Sequence, residues 1–288
     1  MPLEDIHKSP SSDGRFEATG TLLRTPDVQG IPNYHGSIEV RDLKTGHVVV
    51  SWDNPGGVTG LSLSPDATLL AVDSHALLAV WKWKSKQRVY AHTFDTGGQF
   101  NVESAFSPNG KQLAVAFGYL VVLDVASWKT RKFPQLVEPA FVDKATWSPS
   151  GRLLALSQHD LVSFSLVELQ NGRVRFLGDS DSYSAPLFSS DSNWLVGTTE
   201  NGTFLWNVKS RTRTLLGGNY EHSLFPVAFS NDARFVACRS EKESKRIGVW
   251  RVRDGKRLVA LQIKTASLQT LFDQAQKVER SARRQSRF

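Results

Sequence analysis

Two pairs of side chains in this sequence are of types that could do chemistry: Asp73 with His75, and His159 with Asp160. An imidazole beside a carboxylate can serve as an oriented general base or, with further donors, hold a divalent metal. Asp179 and Asp181, in "GDSDSY", have the spacing of carboxylates in some calcium loops, but the later glycine and bidentate glutamate of such loops are missing. No glycine-rich loop ends in Gly-Lys-Ser or Gly-Lys-Thr, and neither a Gly-x-Ser-x-Gly elbow nor a His-Glu-x-x-His motif occurs. "NPGGVTG", Asn54 to Gly60, reads as a connecting turn. The one cysteine, Cys238, reads as a small core residue, and no cysteine and histidine cluster has zinc spacing. No motif implies a cofactor or a metal.

These residues must be positioned by a substantial core, since 40% of the 288 residues are hydrophobic. No stretch of about 18 apolar residues occurs, and "MPLEDIHKSPSSDG" lacks the apolar centre of a secretory signal, so the expectation is a soluble, cytoplasmic chain. The net charge is +7, and much of it sits in residues 264–288, with six basic against two acidic side chains.

One pattern recurs. "AFSPNGKQLAVAFGYLVVLDV", Ala105 to Val125, has counterparts starting at Leu61, Ala145, Pro186 and Val227. Their shared serines, Ser64, Ser107, Ser148, Ser189 and Ser230, are 43, 41, 41 and 41 residues apart. A sixth copy begins near Ser11 and carries about a dozen extra residues within "TLLRTPDVQGIPNYHG". Each copy reads as four short strands: an apolar segment, a Ser-Pro-Asn-Gly type turn, two apolar runs, and a weaker fourth run such as "RVYAHTF" or "KRLVAL". Four-stranded units at a period of about 41 residues predict an all-β fold, a β-propeller of six blades. The units fall at about 5–53, 54–96, 97–137, 138–178, 179–218 and 219–263, which places the propeller in residues 1–263.

Over residues 5 to 263 the chain resembles the WD-repeat family and the wider set of WD-like propellers. The family ends its third strand in Trp-Asp; the matching pairs here are Trp81-Lys82, Leu123-Asp124, Phe164-Ser165, Trp206-Asn207 and Trp250-Arg251. The family's Gly-His before the first strand has no counterpart, since Gly46-His47 lies in a third-to-fourth strand turn. The resemblance implies a rigid interaction scaffold and a central channel. It leaves two forms of the ring open: six blades closing by packing alone, or a partner adding a strand or a seventh blade, as in coat-complex and nuclear-pore propellers.

Repeat alignment sorts the loops by face. Loops joining strands two and three emerge with the blade-to-blade connections, and together they collect Tyr34, His35, Phe94, Phe100, Tyr119, Phe141, Tyr183, Tyr220 and Phe225. Aromatic side chains give large contact area at little entropic cost, so this face is the expected protein-binding surface. "RSEKESKRIG", Arg239 to Gly248, adds a charged loop there.

After the sixth copy the period changes. Leu268, Leu271, Phe272, Ala275 and Val278 fall on one helical face, so residues 264–288 predict an amphipathic helix with a basic end. Such a helix can dock on its own propeller, enter a partner's groove, or use its arginines on nucleic acid or an anionic membrane. The whole reads as a non-catalytic protein-interaction scaffold or complex subunit. The alternatives are a propeller enzyme or ligand sensor using His75 and His159 at the channel mouth, and a ribonucleoprotein component held by the tail.

Overall fold

The structure, a computed structural model, describes residues 4–26, 32–97, 101–133, 141–159, 164–177, 184–217, 224–240, 246–262 and 267–285. Among these residues it holds six antiparallel sheets of four strands and one long helix. Sheet one comprises β1 (Glu4–Pro10), β2 (Phe16–Pro26), β3 (Pro32–Asp42) and β4 (Val48–Asn54). Sheet two comprises β5 (Gly60–Leu63), β6 (Leu69–Ser74), β7 (Leu77–Lys82) and β8 (Gln87–Thr93), and sheet three β9 (Glu103–Phe106), β10 (Gln112–Ala116), β11 (Leu120–Asp124) and β12 (Thr130–Lys132). Sheet four follows with β13 (Phe141–Trp147), β14 (Leu153–His159), β15 (Phe164–Glu168) and β16 (Arg173–Phe176). Sheet five is β17 (Leu187–Phe188), β18 (Trp194–Thr199), β19 (Gly202–Asn207) and β20 (Arg213–Gly217); sheet six is β21 (Leu224–Phe229), β22 (Phe235–Ser240), β23 (Arg246–Arg251) and β24 (Arg257–Gln262). The helix α1 spans Leu268–Gln285. Each sheet is built from four strands consecutive in sequence.

The recurring serine has a structural reason. In every copy the Ser hydroxyl accepts the backbone N–H five residues on: Phe16 to Ser11, Leu69 to Ser64, Gln112 to Ser107, Leu153 to Ser148, Trp194 to Ser189 and Phe235 to Ser230, at 2.8 to 3.0 Å. In five of the six the hydroxyl also donates to an Asp or Asn two residues on, for example Asp13, Asp66 and Asn109. The fourth residue takes a positive φ and returns its N–H to the serine carbonyl, at Gly14, Ala67, Gly110, Gly151, Ser192 and Ala233. All six serines are buried, so this hydroxyl replaces water as the partner of a backbone group at the strand junction. Replacing Ser107 with alanine orphans the Gln112 N–H and is expected to cost about 1–2 kcal/mol of stability, read as a lower midpoint in urea unfolding; an unchanged midpoint would remove the hydroxyl from this account.

The chain divides into two compact units, Met1–Ala145 and Thr146–Phe288. In the first, alternation along each strand sends side chains to two buried faces. Leu70 and Val72 pack with Ala18, Ile38 and Val40 of sheet one, while Ala71 joins Phe106, Leu113 and Val115 of sheet three and Val102 just before it. A sheet sandwiched this way needs apolar residues on both faces, which is why "LLAV" and "LAVA" run without alternation. In the second unit sheet four packs on sheet five through Leu166, Phe164 and Trp206, and sheet five on sheet six through Val196, Leu205, Val236 and Trp250. The Trp206 and Trp250 indole N–H groups donate to the Leu177 and Leu216 carbonyls, at 3.1 and 3.0 Å, pinning each third strand to the preceding sheet.

The far face of sheet six, with Phe235, Ala237, Ile247 and Val249, is covered by Leu271, Phe272 and Ala275 of α1. The helix supplies the apolar surface that a further sheet would otherwise provide, as capping elements do in repeat proteins. Leu268 is half-buried and Val278 is exposed. Glu279, on the helix's buried side, is 2% exposed and pairs with Arg234, with Arg251 and Arg253 at 3.9 Å.

Two sequence expectations are corrected. Strand pairing sets Leu70 opposite Trp81, Leu195 opposite Trp206 and Val236 opposite Trp250; in sheet four the same register sets Leu154 opposite Val167. The Trp-Asp position there is Val167-Glu168, not Phe164-Ser165, because β15 pairs with β14 in the register that sets Glu168 opposite Leu153 and Phe164 opposite Ser157. The described residues of the first copy's extra stretch are strand and not loop: β2 and β3 continue as paired antiparallel strands, with His35 opposite Leu23 and Tyr34 opposite Arg24.

Candidate functional site

Antiparallel pairing within each sheet brings the second-to-third strand loop to the same end as the segment leading to the next sheet. At that end of the first unit a cleft of about 270 Å³ is lined by Asp95, Gly97, Phe117, Gly118, Tyr119 and Phe141. Its wall is the turn between β10 and β11. Gly118 takes φ +84, a conformation that a side chain would strain, and exchanges two 3.0 Å hydrogen bonds with Val142, which fixes Phe117 and Tyr119 on either side. Asp95 accepts the Gly97 N–H at 3.2 Å and holds the opposite lip.

The rings form a connected series. Trp128 stacks on Tyr90 at 4.6 Å; Tyr90 leads through His92 to Phe94, Phe94 meets Phe117 at 4.5 Å, and Phe117 lies 5.9 Å from Tyr119. Phe94 is buried and acts as a support, whereas Tyr119 is 41% exposed and presents its ring at the cleft. Tyr34 packs its ring on His75 at 4.3 Å, His35 is exposed on β3, and Phe225 is half-buried on β21, opposite Arg239. Phe100, Tyr183 and Tyr220 lie outside the described residues, as do Asp160, Asp179, Asp181 and the side chain of His159. Of the residues chosen from sequence, the fold brings Tyr119 and Phe141 together at the cleft, over Phe94. Phe117 was missed because it ends an apolar strand; its place immediately before Gly118 is the signal that it turns outward with the loop.

Asp73 and His75 are engaged separately. The Asp73 carboxylate is buried in the joint between sheets two and three, where Oδ2 accepts the Ser104 N–H at 2.8 Å and Oδ1 has no hydrogen-bond partner. Burial, opposed by the Ser104 hydrogen bonds and reinforced by Glu103, pushes this carboxyl up to about 7. Gly60 is required beside it, since a Cβ there would lie 2.7 Å from Asp73 Oδ2. The His75 Nδ1 lies 3.2 Å from Asn101 Oδ1, and its backbone takes φ +49. Among the described residues no group of three or more His, Cys, Asp or Glu side chains is placed to hold a metal.

No protein-family profile and no curated protein matches the sequence. Solved structures do match in fold. The β-propeller domain of Cps50 (Swd1) from Myceliophteria thermophila superposes with a TM-score of 0.64 at 15% identity, covering 91% of this chain and 89% of that one. The protein is a six-bladed β-propeller. Hydrazine synthase from Kuenenia stuttgartiensis shares the architecture more distantly, with a TM-score of 0.60 at 14% identity over 94% of this chain and 82% of that one. Propeller architecture thus serves an enzyme in one of these neighbours, so the fold does not decide this chain's activity. In this propeller the six sheets are the blades, and the aromatic cleft is formed by the segment that follows blade two, the second-to-third strand turn of blade three and Phe141 at the start of β13. Among the described residues no helix is long and apolar enough to cross a membrane.

Proposed function

We propose that this chain is a WD-like, non-catalytic interaction scaffold that binds a partner protein at the Phe117–Tyr119 cleft. The observation that carries the reading is the exposed Tyr119 ring, held by the Gly118–Val142 hydrogen bonds beside Phe141 and next to Phe117, which rests on the buried Phe94. A pre-formed aromatic cleft loses little entropy on binding, and an aliphatic or aromatic side chain of a partner would displace water from it. The separate engagement of Asp73 with Ser104 and of His75 with Asn101 supports binding over acid–base catalysis, because neither group orients the other.

The tagged full chain, recovered from its native cell at moderate salt, is expected to bring down a protein in fixed ratio. The Tyr119→Ala/Phe141→Ala double variant should lose it, because each buried anchor is worth about 2 kcal/mol or roughly 30-fold in affinity. A chain that comes out alone, or a partner retained equally by both forms, would overturn the reading.

A further inference from the structure

We propose that the groove between the outer strands of blades four and five is a second binding surface, one that takes an extended acidic peptide carrying apolar side chains between its carboxylates. The groove, about 510 Å³, is lined by Arg173, Arg175, Phe176, Trp206, Arg211 and Arg213. The arginines come from both walls: Arg173 and Arg175 from β16, Arg213 from β20, and Arg211 from the turn before it. Arg175 is already committed, donating to the Val208 carbonyl and pairing with Glu168 at 3.0 Å, and the Arg213 guanidinium lies 4.9 Å above the Phe204 ring. Arg173 and Arg211 are exposed and, among the described residues, neither has an acidic partner. Two guanidinium groups on opposite walls offer paired N–H donors in the geometry that carboxylates accept.

The remainder of the groove favours a peptide over nucleic acid. Its exposed apolar side chain is Phe176, at 57%; Leu215, at 53%, stands next along β20 from Arg213 on the same face, opposite Phe204. Both β16 and β20 are the last strands of their sheets, so their outer edges leave backbone groups for an added extended chain. Alternating acidic and apolar residues would set carboxylates on the arginines and apolar groups on Phe176 and Leu215.

The test uses the full chain and a fluorescently labelled peptide of about ten alternating Glu and Leu residues, followed by anisotropy. Saturable binding is expected. The Arg173→Glu/Arg211→Glu variant should bind roughly tenfold more weakly or worse, while Lys111→Glu/Lys129→Glu on blade three changes affinity less than about twofold. Both pairs are exposed, so thermal melts of the variants should match the wild type, and Arg173→Ala/Arg211→Ala should give an intermediate loss. Absence of saturable binding, equal losses from the two reversed pairs, or equal affinity for a Glu and Ser peptide would overturn the proposal. So would an oligothymidylate of equal charge binding more tightly than the peptide with the same dependence on Arg173 and Arg211, which would assign the groove to nucleic acid.

Discussion

Replacing Phe272 with alanine is expected to lower the stability of blade six by about 3 kcal/mol or more, because it empties a buried aromatic site between the helix and the sheet. Phe272 and Leu271 seat the helix on Phe235, Ala237 and Val249, and Ala275 allows close approach. Glu279 adds a second anchor, its buried carboxylate satisfied by Arg234 with Arg251 and Arg253 nearby. Breaking such a pair leaves a charge without its partner, so Glu279→Ala should act in the same direction as Phe272→Ala. Val278→Ala, at an exposed position, should stay within about 0.5 kcal/mol. Hydrogen exchange of the β22 to β24 amides reads these differences locally. If Phe272→Ala protects those amides no less than Val278→Ala does, the helix is not what covers blade six. The functional consequence is that Leu271, Phe272 and Ala275 of the tail's apolar stripe are occupied within the chain, and a partner seeking them must first displace the helix from blade six.

The second large effect is a pH dependence. Asp73→Asn is expected to change how stability varies with pH, because the native carboxyl holds its proton to about pH 7 while the unfolded one releases it near 3.8. Between those values the native state binds more protons, so the Asp73 contribution falls as pH rises and levels off above about 7. The cause is desolvation of a carboxylate with one unpartnered oxygen, with Glu103 adding repulsion. Relative to the variant, the wild type should therefore lose ground steadily from about pH 4 to pH 7, by an amount on the order of a few kcal/mol, and hold a constant difference beyond. Melting temperatures of both proteins across that range provide the check. A difference that does not vary with pH would mean that Asp73 is ionised in the fold throughout the range. Asn at this position still accepts the Ser104 N–H, so the joint between blades two and three persists in the variant.

Local chemistry made the blades legible. A buried serine bonding within its own turn and a strand with two apolar faces are both written within about 20 consecutive residues, so they repeat visibly along the chain. The same locality explains the error in blade four: "SFSLVE" offers two positions three residues apart for the end of β15, and only pairing to Leu153 and Leu154 on β14 selects Val167-Glu168. Loop aromatics were legible as a class, but their separate roles were not. Phe94 and Tyr119 look alike in sequence, and both meet Phe117, but only Phe94 joins the core cluster with Leu78, Val102 and Phe106, which buries it and leaves Tyr119 exposed.

Repeat number, strand order within each blade and the amphipathic tail follow from patterns of a few residues, because turn chemistry and side-chain alternation act at that range. The place of the helix on blade six, the role of Glu279, the isolation of Asp73 from His75 and the arginine groove all depend on residues dozens of positions apart. Which face is covered, and which charge finds a partner, is set by packing among whole sheets, and that packing exists only once the chain has folded.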